Sequence, residues 1–171
     1  IHTSADFDYA DNLLFSEGVV EQALAAIREG TDIVTDTQMA KAGINKRSLA
    51  RYGGEVHCFM SDEDVAAAAK EMGSTRATAC MDKAAALGGN FIYAVGNAPT
   101  ALVRLYELIQ EGRINPRLII GVPVGFVNVV ASKELIMQTQ VPWIVARGRK
   151  GGSNIAACIC NALLYMLNNE R

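Results

Sequence analysis

Phe91-Ile92-Tyr93-Ala94-Val95-Gly96-Asn97-Ala98-Pro99-Thr100-Ala101-Leu102 is the stretch on which the fold turns. Its first five residues are apolar without alternation, as in a strand covered on both faces. Gly96-Asn97 ends the strand. A helix is expected from Ala98 to Gln110, with Pro99 in the first turn, where its missing N–H leaves no bond unmade. Strand, tight turn and helix make half of a βαβ unit.

The same grammar recurs on either side. Ile33-Val34-Thr35, Val56 to Met60, Leu118 to Gly121 and Trp143 to Ala146 read as further short apolar strands. Between them come helices with recognisable punctuation. Ser16 is the expected N-cap of a helix stopped by Gly30. Short helices are expected at Thr37 to Ala42 and Asn45 to Tyr52. Ser61 or Asp62 caps one running through Met72, Ser74 caps Thr75 to Leu87, and Ser132 caps Lys133 to Gln138. Gly148 to Gly152 opens a last helix from Ser153 to about Asn168. Strands and helices thus alternate about five times, which predicts a mostly parallel sheet of about five strands with helices on both sides. No repeat, linker or low-complexity run divides the 171 residues, so one α/β domain is expected over 1–171.

Composition excludes several classes. Half the residues are hydrophobic and 20% are charged, a globular balance. A net charge of −2 gives no reason to expect nucleic-acid or membrane-surface binding. The most apolar stretch, Leu118 to Ala131, is broken by Gly121, Pro123, Gly125 and Asn128 and is too short to span a bilayer. The acidic start carries Asp6, Asp8 and Asp11 before any basic residue and lacks the apolar run of a signal peptide, so a cytoplasmic location is expected. The four cysteines, Cys58, Cys80, Cys158 and Cys160, contain no Cys-x-x-Cys pair. They read as buried apolar thiols in a reducing compartment, and no metal site is expected.

Ligands of parallel sheets bind beyond the carboxyl ends of the strands. Three loops are expected there. Gly148-Arg149-Lys150-Gly151-Gly152-Ser153 joins close-approach glycines and two cations to a helix start, which suits a carboxylate or phosphate; the alternative is a turn capped by Ser153. It matches neither common nucleotide fingerprint. Gly96-Asn97-Ala98-Pro99-Thr100 is either a plain βα connection or a polar turn offering Asn97 and Thr100. Gly121-Val122-Pro123-Val124-Gly125-Phe126 carries little polar chemistry and offers bare backbone to a flat ligand, or simply packs closely. Thr75-Arg76 opens a helix, where Arg76 either grips a carboxylate or is solvated. Of the two histidines, His57 lies in an apolar strand and reads as structural. His2 is either a frayed terminus or, near Asp6 and Asp8, a general acid.

Taken together, these motifs resemble the precorrin-8X (cobalt-precorrin-8) methylmutase family. The resembling stretches are Ile1-His2-Thr3-Ser4-Ala5-Asp6-Phe7, Thr35-Asp36-Thr37-Gln38-Met39, Gly43-Ile44-Asn45-Lys46-Arg47, Thr75-Arg76, Gly96 to Leu102, Gly121 to Val127, Ser132-Lys133-Glu134 and Gly148 to Asn154. They run over nearly the whole chain. The resemblance implies a three-layer α/β/α isomerase, a homodimer with sites near the subunit interface. It moves a methyl group from C-11 to C-12 of a corrin macrocycle to give hydrogenobyrinate or its cobalt counterpart. The family's catalytic histidine matches His2, and its substrate-contacting arginine matches Arg76. Thr3, Met39, Thr75, Gly96, Asn97, Ala98, Thr100, Pro123, Val124, Gly125, Arg149, Lys150, Gly151, Gly152 and Ser153 are the further substrate-binding residues expected. No cofactor is expected, since any cobalt belongs to the substrate. The wording of residues 1–7 and 43–47 is nearer the anaerobic branch, whose substrate contains cobalt.

Two departures stand out. Family members carry further residues before this histidine, so the N-terminal part of the family domain is expected to be missing here. The residue before Ser132 is often acidic in the family, whereas here it is Ala131. Two rival readings remain: a phosphate-ligand α/β enzyme using Gly148 to Ser153, and a non-catalytic tetrapyrrole carrier.

Overall fold

A computed structural model describes residues 1–169. One six-stranded sheet runs β1-β6-β5-β4-β2-β3 in space. Its strands are β1 (Leu13–Phe15), β2 (Ile33–Thr35), β3 (Val56–His57), β4 (Ile92–Val95), β5 (Leu118–Gly121) and β6 (Trp143–Ala146). Every pairing is parallel except β1 with β6. The mostly parallel sheet is as the apolar runs imply, but it has one strand more than expected. β1 is an antiparallel edge of only three residues, in the register Leu13 to Ala146 and Phe15 to Ile144.

Side chains alternate between two cores, because successive strand residues point to opposite faces. Ile92, Ala94, Leu118, Ile120 and Ile144 join one core with α2 (Val19–Arg28) and α9 (Ser153–Asn169). Tyr93, Val95, Ile119 and Val145 join the other with α6 (Arg76–Ala86), α7 (Pro99–Gln110) and α8 (Val129–Met137). The result is three layers, helix on sheet on helix. Short α1 (Asp8–Asn12) precedes β1. Helices α3 (Gln38–Gly43) and α4 (Lys46–Ala50) lie on the α9 side, and α5 (Glu63–Glu71) packs on α6.

Three serines expected as caps do not cap their helices; Ser16 and Ser132 bond elsewhere, and the Ser74 hydroxyl is buried without a partner among the described residues. Ser16 Oγ accepts the Trp143 N–H at 2.9 Å and so ties β1 to β6, while α2 starts from Gly18 in the left-handed region. Thr75, not Ser74, caps α6 by accepting the Thr78 N–H. Ser132 is buried inside α8 and donates to the Val129 carbonyl. A hydroxyl is as well satisfied by a strand amide or an i−3 carbonyl as by a helix start, so residue type alone does not select the cap. Cys58, Cys80 and Cys160 are buried free thiols, with burial pushing Cys80 and Cys160 up to about 12; Cys158 is half-buried.

Strand order reverses between β2 and β4: β3 lies to one side of this pair, while β5 and β6 follow on the other. That reversal is where doubly wound sheets open their ligand crevice.

Candidate active site

At the β2/β4 reversal the crevice is closed by one carboxylate. Asp36, directly after β2, is fully buried. Its Oδ1 accepts the Gly96 N–H at 2.8 Å, and its Oδ2 accepts those of Asn97 and Ala98 at 2.8 and 2.7 Å. Burial pushes this carboxyl above its ordinary range, against the pull of the three amides. The Gly96–Ala98 turn therefore spends its N–H groups on Asp36. What it presents outward is the exposed Asn97 and Thr100. The role of Asp36 is not legible in the sequence, because its partners lie 60 to 62 residues away.

The three loops do meet. A Cβ added to Gly96 would sit 2.6 Å from Ser153 Cα, so β4 ends directly against the start of α9. Thr37 and Ser153 hydroxyls lie 2.8 Å apart, which attaches the β2 end to the same point. Gly152 N–H donates to the Val122 carbonyl at 2.9 Å, and Gly125 N–H to the Arg149 carbonyl at 3.1 Å. Gly151 has φ +158°, and a Cβ there would overlap the Val122 carbonyl oxygen. Pro123 is buried beneath, whereas Val124, Phe126 and Val127 stand exposed. Arg149 lies over the Phe126 ring at 5.9 Å. On the far side, Thr75 and Thr100 hydroxyls are 2.9 Å apart, so the starts of α6 and α7 adjoin and exposed Arg76 belongs to this rim. Met39 is exposed on the first turn of α3, which packs on α9.

His2 lies in an N-terminal turn closed by the Ala5 N–H on the Ile1 carbonyl, with Ala5 at φ +53°. Two contacts tie this turn to the loops. Thr3 Oγ1 donates to Cys158 Sγ at 3.1 Å, on the second turn of α9. Lys150 Nζ reaches Asp6 at 2.7 Å and Asp8 at 3.6 Å. This pairing holds the Asp6 carboxyl below and the Lys150 amine above their ordinary ranges. Lys150 thus serves the histidine-bearing segment rather than standing free on the loop. Cys158 is five residues into α9, or about 7.5 Å along its axis from Ser153. The segment bearing the exposed His2 therefore lies near the loops, and its Ile1 and Thr3 line an apolar cavity of about 160 Å³ with Tyr9, Leu13, Ile155 and Cys158. That volume is below the roughly 300–1,000 Å³ of small-molecule pockets.

Lys133, not among the site residues the sequence points to, underlies the assembly. It is fully buried on α8, and its Nζ donates to the carbonyls of Gly148 and Lys150, each at 2.8 Å. Desolvation lowers its pKa to about 8. A sequence signal was present: buried Val129, Ser132, Lys133 and Ile136 follow the i, i+3, i+4, i+7 spacing of an inward helix face.

The histidine-bearing segment, the arginines and the glycine loops thus adjoin at one end of the sheet, and the comparisons with known proteins agree on what that end belongs to. The precorrin-8X methylmutase family model matches residues 1–166. The chain belongs to the precorrin-8X methylmutase family. It is 49% identical over 168 residues to the cobalt-precorrin-8 methylmutase of Salmonella typhimurium, covering 98% of this chain and 78% of that one. Identity is 44% over 169 residues to the enzyme of the same name from Priestia megaterium, covering 99% and 75%. The crystal structure of precorrin-8x methyl mutase from Thermus thermophilus superposes with a TM-score of 0.89 at 40% identity, covering 99% of this chain and 83% of that one. The three-layer methylmutase fold implied by the motifs is therefore the fold of the chain. Among the described residues no helix is long and apolar enough to cross a membrane. No group of three or more His, Cys, Asp or Glu side chains among them is placed to hold a metal ion.

Proposed function

We propose that this chain is the isomerase that moves a methyl group from C-11 to C-12 of cobalt-precorrin-8 or precorrin-8X in cobalamin biosynthesis. One observation carries the reading. The segment bearing His2 is pinned, through Thr3 on Cys158 and Lys150 on Asp6, beside the point where the glycine loops converge. A corrin precursor is a broad apolar ring edged with carboxylates. Exposed Val124 and Phe126 give such a ring an apolar surface, while Arg76, Arg149, Asn97 and the start of α9 meet its carboxylates.

In this account the reaction is a 1,5-sigmatropic shift. Protonated His2 donates to a ring nitrogen next to the migrating methyl and withdraws electron density from the conjugated system. The carbon–methyl bond at C-11 breaks as the bond at C-12 forms, and the proton redistributes within the product. Catalysis then comes from stabilising charge that develops in the transition state. The chemistry needs no cofactor, and any cobalt is part of the substrate. The relatives at 44% and 49% identity bear the name cobalt-precorrin-8 methylmutase, which favours the cobalt-containing substrate.

The cavity lined by Ile1 and Thr3 is too small for a macrocycle, and Phe126 and Val127 are exposed by 86% and 78%. Both features support a homodimer in which a second copy completes the site. The cytoplasm, where corrin precursors are made, is the proposed location. The test is His2→Ala in a corrin-producing host. The wild-type protein is expected to co-purify with a yellow or orange corrinoid at the C-12 methyl level. The variant is expected to hold unrearranged material. Rearranged product in the His2→Ala strain at wild-type yield removes His2 from the mechanism.

A further inference from the structure

Lys133 is the one side chain beneath the Gly148–Gly151 loop whose ammonium is both fully buried and bonded only to carbonyls among the described residues. Among the described residues no carboxylate neutralises it. An unpaired cation is costly to bury, and methionine of similar length would fill the same space without that cost. Packing therefore does not explain the lysine.

Backbone geometry does. In a trans peptide the C=O of one residue and the N–H of the next point in opposite directions. Lys133 draws the Gly148 and Lys150 carbonyls inward. The N–H groups of Arg149 and Gly151 must then face away from it. Neither finds an acceptor among the described residues. The intervening peptide is fixed separately, since the Arg149 carbonyl accepts from Gly125. The loop's other cations do not duplicate this. Lys150 is committed to Asp6, and Arg149 is exposed against Phe126.

We infer that Lys133 is a positioning residue for substrate: it holds two carbonyls inward so that the Arg149 and Gly151 amides form an outward-facing carboxylate site, with its own charge behind that site. The inference rests on the functional reading above, because the anion it serves is a peripheral carboxylate of the macrocycle. Lys133 does not touch the ring in this account. It acts on affinity through the loop, so its loss raises KM and leaves kcat at saturation little changed.

The test titrates the rearranged corrin, both as hydrogenobyrinate and as its cobalt counterpart, followed by visible absorption, into the wild-type protein and Lys133→Met, with thermal melts of both. Lys133→Met is expected to bind at least tenfold more weakly without a lower Tm. Lys133→Gln, which keeps an N–H donor, is expected to recover part of the loss. Equal affinity in wild-type and Lys133→Met overturns the inference while leaving the functional reading intact. Absence of binding of either corrin to the wild-type protein overturns the functional reading and this inference with it. Should Lys133→Met fail to fold, amide exchange in the wild-type protein decides. Arg149 and Gly151 amides are expected to be open alone and protected with the rearranged corrin; unchanged exchange overturns the inference.

Discussion

Replacing Asp36 with asparagine changes one atom and tests how the β2/β4 crevice is held. In the wild-type chain two carboxylate oxygens serve three N–H groups, from Gly96, Asn97 and Ala98. Asparagine has one acceptor oxygen. Its better orientation keeps that oxygen on Asn97 and Ala98 and turns its NH2 toward the Gly96 N–H, donor against donor. Leaving one buried N–H unsatisfied costs about 1–3 kcal/mol. The two surviving bonds lose their charge assistance, at about 1 kcal/mol each. Relief of the buried charge offsets part of this, so a net loss of about 3 kcal/mol is expected. For a chain of this size that corresponds to a Tm fall of roughly 6–12 °C. Urea unfolding followed through Trp143, the single tryptophan, measures it. A loss below about 1 kcal/mol would refute the reasoning, because the three amides would then have acceptors other than Asp36.

The remaining predictions concern the loop and its lysine. The Lys133 amine has a folded-state pKa of about 8 against an ordinary 10.5. Between these values the unfolded chain binds more protons, so this group adds stability as pH rises through the window and removes it below about 8. The stability difference between wild-type and Lys133→Met should shift in favour of wild-type by about 3 kcal/mol from pH 7 to 10.5, with the Glu134–Arg147 and Lys150–Asp6 pairs common to both. A pH-independent difference in urea midpoints counts against it. Gly151→Ala must push its Cβ into the Val122 carbonyl and is expected to cost more than about 2 kcal/mol and to abolish corrinoid binding. Gly148→Ala, at φ +85° with open space around it, meets only backbone strain of about 1–2 kcal/mol and should keep binding. Similar effects of the two substitutions in melts and absorption titrations would contradict the packing of Gly151 on Val122.

The parallel core was legible because buried strands write themselves as apolar runs. Phe91 to Val95 and Leu118 to Gly121 needed no partner to be seen. β1 was not legible. Leu13–Phe15 has three residues and no period, and it is a strand only because Ala146 and Ile144 lie opposite. The cap at Ser16 went astray for the same reason, since its hydroxyl answers to Trp143 rather than to the following helix. At the site, the glycine loops were visible as glycine next to charge, yet the two residues that shape them were not. Asp36 works across a separation of at least 60 residues, and Lys133 hides a charge where lysine is rarely found. His2 stands out in the sequence only through the motif around it, and its catalytic role remains the proposal made above. The nearness of its segment to the loops follows from Thr3 on Cys158 and Asp6 on Lys150, contacts that span 155 and 144 residues.

Mixing a slight excess of protein with cobalt-precorrin-8 and recording the visible spectrum over a single turnover tests the proposed methyl shift most directly. Wild-type protein should convert the substrate chromophore to that of the C-12 methylated corrin. His2→Ala, whose replaced side chain is exposed and so leaves the melt unchanged, should bind the substrate and leave its spectrum unrearranged. Conversion by the His2→Ala protein at the wild-type rate, or a wild-type protein that binds the pigment and never changes it, would contradict the account.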